Sequence, residues 1–143
     1  MEKICEHLKA KGLKQTRHRL AILSLLKKAE HPLSADEIYL QLKNESINLS
    51  TVYRNLELLT DKDLILKLNL SGDSRTVYEY NSPVHRHYLV CLGCKKILPI
   101  EHCPLSGYEE RLAGETGYAI VGHKLDVYGY CPACQQKDKK PGF

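Results

Sequence analysis

The sequence predicts an α+β chain in two parts. Helical patterns occupy the first half up to a pair of strand-forming stretches, which flank the turn residues Ser71-Gly72-Asp73. The second half sets short strand-like runs beside two C-x-x-C pairs, Cys91/Cys94 and Cys131/Cys134. Three helices and then a β-hairpin is the order of a winged helix-turn-helix domain.

Each element has a local cause. Thr16 can cap a helix over residues 16–28, with Leu20, Ile22, Leu23 and Leu26 as its core face. Ser34-Ala35-Asp36-Glu37 is a capping box, and Ala35, Ile38, Tyr39 and Leu42 behind it follow the helical repeat. A third helix is expected from Ser50, with Val52, Leu56 and Leu59 on one side and Ser50, Tyr53, Arg54 and Glu57 on the other. Residues 64–70 and 76–80 read as the hairpin strands, and Asn81-Ser82-Pro83 as a linker. Beyond it, residues 88–91, 96–100, 118–121 and 125–130 read as strands, and 104–115 as a helix ended by Gly117. The expected division is a first domain over 1–81, a hinge over 82–84, a second domain over 85–135 and a disordered polar tail over 136–143.

Hydrophobic residues at 43% and charged residues at 27% describe a soluble globular protein, and no apolar run approaches the ~20 residues that span a bilayer. The N-terminus alternates charge and lacks the apolar stretch of a signal peptide, so a cytoplasmic chain with no membrane partner is expected. The formal charge is +4, but four thiolates around one Zn2+ would lower it to about +2. Charge distribution is more informative. Lys3, Lys9, Lys11, Lys14, Arg17 and Arg19 crowd the first twenty residues, as either a phosphate-contacting stretch or a solvated helix face.

Six cysteines in a reducing compartment, four of them paired as C-x-x-C, read as metal ligands before disulfides. Each C-x-x-C turn offers two sulfurs, and two such turns close a zinc tetrahedron. The 36 residues between the pairs exceed a compact zinc ribbon, so a small domain must fold between them. Buried thiols or a redox pair are the other reading. A zinc deaminase would need H-x-E before P-C-x-x-C. Here His85-Arg86-His87 lacks the glutamate and Pro132 lies inside the C-x-x-C, so no enzyme is expected.

Gly12-Leu-Lys14-Gln-Thr16-Arg17, Ser50-Thr51-Val-Tyr53-Arg54, His85-x-His87-Tyr-Leu-Val-Cys91-Leu-Gly-Cys94 and Gly122-His123-Lys-Leu-Asp-Val-Tyr-Gly-Tyr-Cys131 together resemble the ferric uptake regulator family, in order and over nearly the whole chain. The resemblance implies a winged-helix DNA-binding domain, a hinge and an α/β dimerisation domain with a four-cysteine zinc site. It implies a homodimer that binds a palindromic double-stranded DNA operator when metal is bound. Tyr53 and Arg54 would enter the major groove, where arginine can bond two acceptors of guanine and a tyrosine ring can pack on a thymine methyl. Lys14 would approach the minor groove, and Thr16, Arg17, Ser50 and Thr51 belong to the same surface. For each of these, a plain surface position is the alternative.

The resemblance also places a regulatory metal at His85, His87 and His123. His85 and His87, at i and i+2 on a strand, would share a face. Family members add a carboxylate where this chain has Ser106, so Glu101, His102, Cys103 or water would complete the shell. A second family site matches His31 and Glu79, but Arg86, Tyr88 and Pro99 replace its other ligands, so either that site is lost or His31 and Glu79 join the histidine cluster. His31 is otherwise a residue on the approach to a helix, Cys103 a small buried apolar group, and His7 and His18 solvated or core residues. Zn2+ is expected as structural metal and Zn2+ or Fe2+ as regulatory metal. The segment Ile100-Glu101-His102-Cys103-Pro104-Leu105 resembles zinc-uptake repressors, which ranks zinc sensing first, iron second and peroxide third. A zinc-containing scaffold that binds protein is the reading from a different class.

Overall fold

A computed structural model describes residues 2–70, 74–82 and 86–138, and resolves two compact units, 1–83 and 84–143. Met1, the expected turn residues Ser71-Gly72-Asp73, Pro83 and Val84 of the expected hinge, His85 and the last five residues lie outside the described part.

The first unit holds helices α1 (Glu2–Ala10), α2 (Arg17–Lys28), α3 (Ala35–Leu42) and α4 (Leu49–Asp61), and strands β1 (Leu33–Ser34), β2 (Ile65–Leu68) and β3 (Val77–Tyr80). Thr16 caps α2 by accepting the Arg19 amide at 3.2 Å. Ser34 and Glu37 close the expected capping box at 3.2 and 3.0 Å. Glu37 also takes an ion pair from Arg75 at 3.2 Å, which ties the chain entering β3 to the start of α3.

Helix α4 departs from expectation at its start. Asn48, not Ser50, is the cap: its Oδ1 accepts the Thr51 amide at 2.8 Å and the Ser50 hydroxyl at 2.9 Å. Asparagine is as good a cap as serine, and here it satisfies the orphan amide first. Two elements had no clear sequence signal. Helix α1 buries Ile4 and Leu8, and the two-residue β1 pairs antiparallel with β3, which also pairs antiparallel with β2. Ile4, Leu8, Ile22, Leu23, Ile38, Val52, Leu56, Leu59 and Ile65 form the core of this unit. His7 is not merely solvated, since its Nδ1 lies 2.6 Å from the Tyr80 hydroxyl.

The second unit is a three-stranded sheet of β4 (His87–Cys91), β5 (Ile97–Ile100) and β6 (Asp126–Gly129), with helices α5 (Tyr108–Thr116) and α6 (Pro132–Asp138). β4 is central, antiparallel to β5 and parallel to β6. Residues 104–107, expected to be helical, instead form turns in which Ser106 and Tyr108 donate to the Cys103 and Leu105 carbonyls at 3.3 and 2.9 Å. Gly107 then enters α5 at φ +82°, a left-handed conformation that glycine adopts without strain. Gly117 ends α5 at φ +75°, as its position suggested. Residues 118–121 form no strand; no described strand pairs with them. Residues 136–138 of the expected tail are the last turn of α6, which continues from the Cys131/Cys134 pair.

Candidate metal centres and the exposed face of helix α4

The two C-x-x-C pairs meet. β4 ends in Cys91 and β6 leads into Cys131, and the parallel register that sets Cys91 against Gly129 brings the pairs to the same end of the sheet. The sulfurs of Cys91, Cys94, Cys131 and Cys134 all lie within 4.8 Å of one another, with Cys94 and Cys131 at 3.9 Å. Four sulfurs at ~2.3 Å from one Zn2+ would stand ~3.8 Å apart, so the cluster fits the ion. Gly93 makes this closure possible: a Cβ there would lie 2.7 Å from the Cys134 sulfur.

The backbone amides of Cys131 and Cys94 point at the Cys91 sulfur at 3.3 and 3.5 Å. They bring its thiol down to about 6, while the Cys131, Cys91 and Cys94 sulfurs around Cys134 push that thiol up to about 12. Four thiols this close cannot all ionise alone. A divalent cation removes the conflict by attracting each thiolate.

A second cluster lies in the same unit. His87 on β4, Cys103 before α5 and His123 after α5 point their ligand atoms at one another. The two Nε2 atoms are 2.9 Å apart, and the Cys103 sulfur lies 3.3 Å from His87 Nε2 and 3.4 Å from His123 Nε2. The outer ring nitrogens are engaged. His87 Nδ1 lies 3.1 Å from the Leu125 carbonyl, and His123 Nδ1 is paired with the Glu109 carboxylate. A carbonyl and an ionised carboxylate only accept, so the tautomer that fits each ring is the one with its proton on Nδ1. In the neutral rings the facing Nε2 atoms are then both lone pairs. Two lone pairs at this distance repel unless a cation relieves them, either an added proton on one ring or a metal ion held by both. Outer nitrogens held by a carbonyl and a carboxylate are the usual support of metal-binding histidines.

Of the residues singled out from the sequence for regulation, the structure brings together His87, His123 and Cys103. His85 lies outside the described residues. Glu101 and His102 are exposed at the bend before Cys103 and do not belong to either donor cluster. His31 and Glu79 belong to the first unit, where His31 Nδ1 lies 2.8 Å from the Pro32 carbonyl and Glu79 sits opposite Leu66 on β3. Glu109 was not anticipated. It stands three residues beyond Ser106, so a search for carboxylates one helical turn further on would have found it.

Helix α4 buries Val52, Leu56 and Leu59 completely and exposes Tyr53 and Arg54 on the other side. Arg54 donates to the Thr51 hydroxyl at 3.1 Å, which steadies the guanidinium along the helix. Ser50 is exposed beside them, as are Lys14, Thr16 and Arg17 in the approach to α2. Arg17 is held by the Glu45 carbonyl at 2.6 Å, and the Lys14 carbonyl by Arg19 at 3.0 Å.

An α+β chain with one four-sulfur cluster and one mixed imidazole–thiol cluster is a metal-binding protein by design. Residues 10–128 match the Ferric uptake regulator family. The chain is 34% identical over 136 residues to a Ferric uptake regulation protein of Neisseria gonorrhoeae, covering 93% of this chain and 94% of that one. Its fold is similar to the Vibrio cholerae ferric uptake regulator at TM-score 0.75 and 30% identity, over 89% of this chain and 98% of that one. It is similar also to the Helicobacter pylori regulator, described as having three functional metal-binding sites, at TM-score 0.75 and 26% identity, over 94% and 90% of the two chains. The chain belongs to the ferric uptake regulator family, which consists of metal-responsive transcription regulators and not enzymes. Among the described residues no helix is long and apolar enough to cross a membrane.

Proposed function

We propose that this chain is a cytoplasmic, dimeric repressor that binds an operator in double-stranded DNA when a regulatory metal is held by His87 and His123. The observation that carries this reading is the convergence of His87 Nε2, His123 Nε2 and the Cys103 sulfur, a donor cluster separate from the four-cysteine one. In this division the four cysteines hold a structural Zn2+ and the histidine cluster senses. The first unit acts as a winged helix-turn-helix, with Tyr53 and Arg54 of α4 reading bases and Lys14, Thr16, Arg17, Ser50 and Thr51 placing the helix on the duplex. The second unit dimerises. Tyr118 and Val121, 74% and 102% exposed in the segment after α5, are the apolar contacts a second copy would cover.

The sensed metal in this reading is zinc, because the cluster presents nitrogen and sulfur. An iron-responsive repressor is the second reading, favoured by relatives named Ferric uptake regulation protein. The test is selection of duplexes from a random pool by the protein holding its structural zinc, followed by titration of binding with Zn2+, Fe2+ and Mn2+. Metal-dependent retention of a palindrome supports the repressor. If no duplex is enriched with any of these metals, a protein-binding scaffold takes its place.

A further inference from the structure

Cys103 lies in neither a strand nor a helix, and the turns over residues 104–107 leave it half-buried beside the two histidines. Its sulfur completes a triangle with edges of 2.9, 3.3 and 3.4 Å. Two nitrogens and a sulfur around a tetrahedral zinc would stand ~3.3 Å (N to N) and ~3.6 Å (N to S) apart. The observed edges are shorter by about 0.2–0.4 Å, so small outward side-chain movements would admit the ion. A neutral thiol satisfies this arrangement poorly. It has one weak proton to share between two ring nitrogens, whereas a metal ion can be bound by all three atoms at once. Glu109 is engaged on the far side of His123, at Nδ1, and there orients the ring.

We propose that Cys103 is a thiolate ligand of the regulatory metal, giving a two-nitrogen, one-sulfur site, and that this sulfur selects zinc-like ions against Fe2+ and Mn2+. The inference rests on the histidine cluster being the regulatory site and adds the residue that sets its metal class. On binding, the Cys103 S–H bond breaks, its proton passes to solvent and a sulfur–metal bond forms. Soft thiolate raises affinity for zinc and cobalt, while Mn2+ favours oxygen donors and gains least. A carboxylate at this position would narrow the gap.

The experiment uses full-length protein with its first zinc equivalent in place, titrated with Co2+. Wild type should take up a second equivalent with a near-ultraviolet sulfur-to-cobalt charge-transfer band. Cys103→Ser should still bind that equivalent through the histidines, more weakly and without the added band. Cys103→Asp should lower the ratio of zinc to manganese affinity by at least ~10-fold in chelator competition. An unchanged band in Cys103→Ser, or an unchanged ratio in Cys103→Asp, overturns the proposal. His87→Ala separates the two levels. If it removes the second equivalent while the Cys103 variants behave as wild type, the sulfur assignment alone fails. If it leaves the second equivalent untouched, the histidine site fails and the sulfur assignment with it.

Discussion

His87 and His123 face each other through their Nε2 atoms at 2.9 Å, each ring held from behind by an acceptor on its Nδ1. The arrangement is pre-organised for a cation because the rings need not rotate to receive one. The folded chain should therefore be stabilised by the metal it binds. Adding Zn2+ to protein already holding one equivalent should raise its unfolding temperature. At a free concentration of 100 Kd the stabilisation should be about 2.7 kcal/mol, read by calorimetry. His87→Ala should abolish that increment while leaving the first zinc in place. An equal increment in the variant would place the second metal elsewhere.

Glu109 acts through His123. Glu109→Gln keeps the size of the side chain but removes the charge that fixes the ring's tautomer. The second metal should bind about 10–100-fold more weakly, with the stoichiometry at saturation unchanged. Isothermal titration separates the two quantities. Loss of the whole equivalent would instead make Glu109 a ligand.

The contrast between Gly93 and Gly114 tests the closure of the four-cysteine cluster. An added Cβ at Gly93 would meet the Cys134 sulfur at 2.7 Å, whereas at Gly114, inside α5, it would meet nothing within 4 Å. Gly93→Ala should weaken zinc retention against a chelator. Gly114→Ala should leave it unchanged and stabilise the chain by about 0.4–1 kcal/mol. If both variants hold zinc equally, the Cys91 turn has more room than its geometry shows.

What was legible in the sequence was local. The Thr16 cap and the Ser34–Glu37 box span three residues, and the paired cysteines announce themselves by spacing. The start of α4 was misplaced because Asn48 and Ser50 are both cap-type residues, and only the geometry shows the serine hydroxyl donating to the asparagine. The strand expected over residues 118–121 rested on composition, but a strand needs a neighbour, and pairing is not written in a short window. The histidine–cysteine cluster was half legible. His87 and His123 stood out by motif, whereas Cys103 and Glu109 join them only because the chain turns over residues 104–107 before α5 begins. That turn depends on Gly107 adopting φ +82°, a backbone choice the pattern of apolar residues does not reveal.

Helix α4 offers the last test, because its two ends of function separate. Asn48 holds the first turn through the Thr51 amide, and Arg54 lies exposed one turn later against the Thr51 hydroxyl. Asn48→Ala should therefore cost about 1 kcal/mol of folding stability, the usual value of a lost N-cap. Its effect on DNA should be indirect and uniform across duplex sequences. Arg54→Ala should leave stability nearly unchanged, since the side chain is exposed and the core face of Val52, Leu56 and Leu59 is untouched. It should instead weaken binding to the selected operator by about 1–3 kcal/mol and relax preference at the base it contacts. Lys14→Ala should differ from both, lowering affinity for all duplexes and reducing the salt slope by about 1. The three variants are compared by denaturant melts and by binding to matched and mismatched duplexes at several salt concentrations. If Arg54→Ala keeps both affinity and base preference, α4 does not read the operator and another surface must do so.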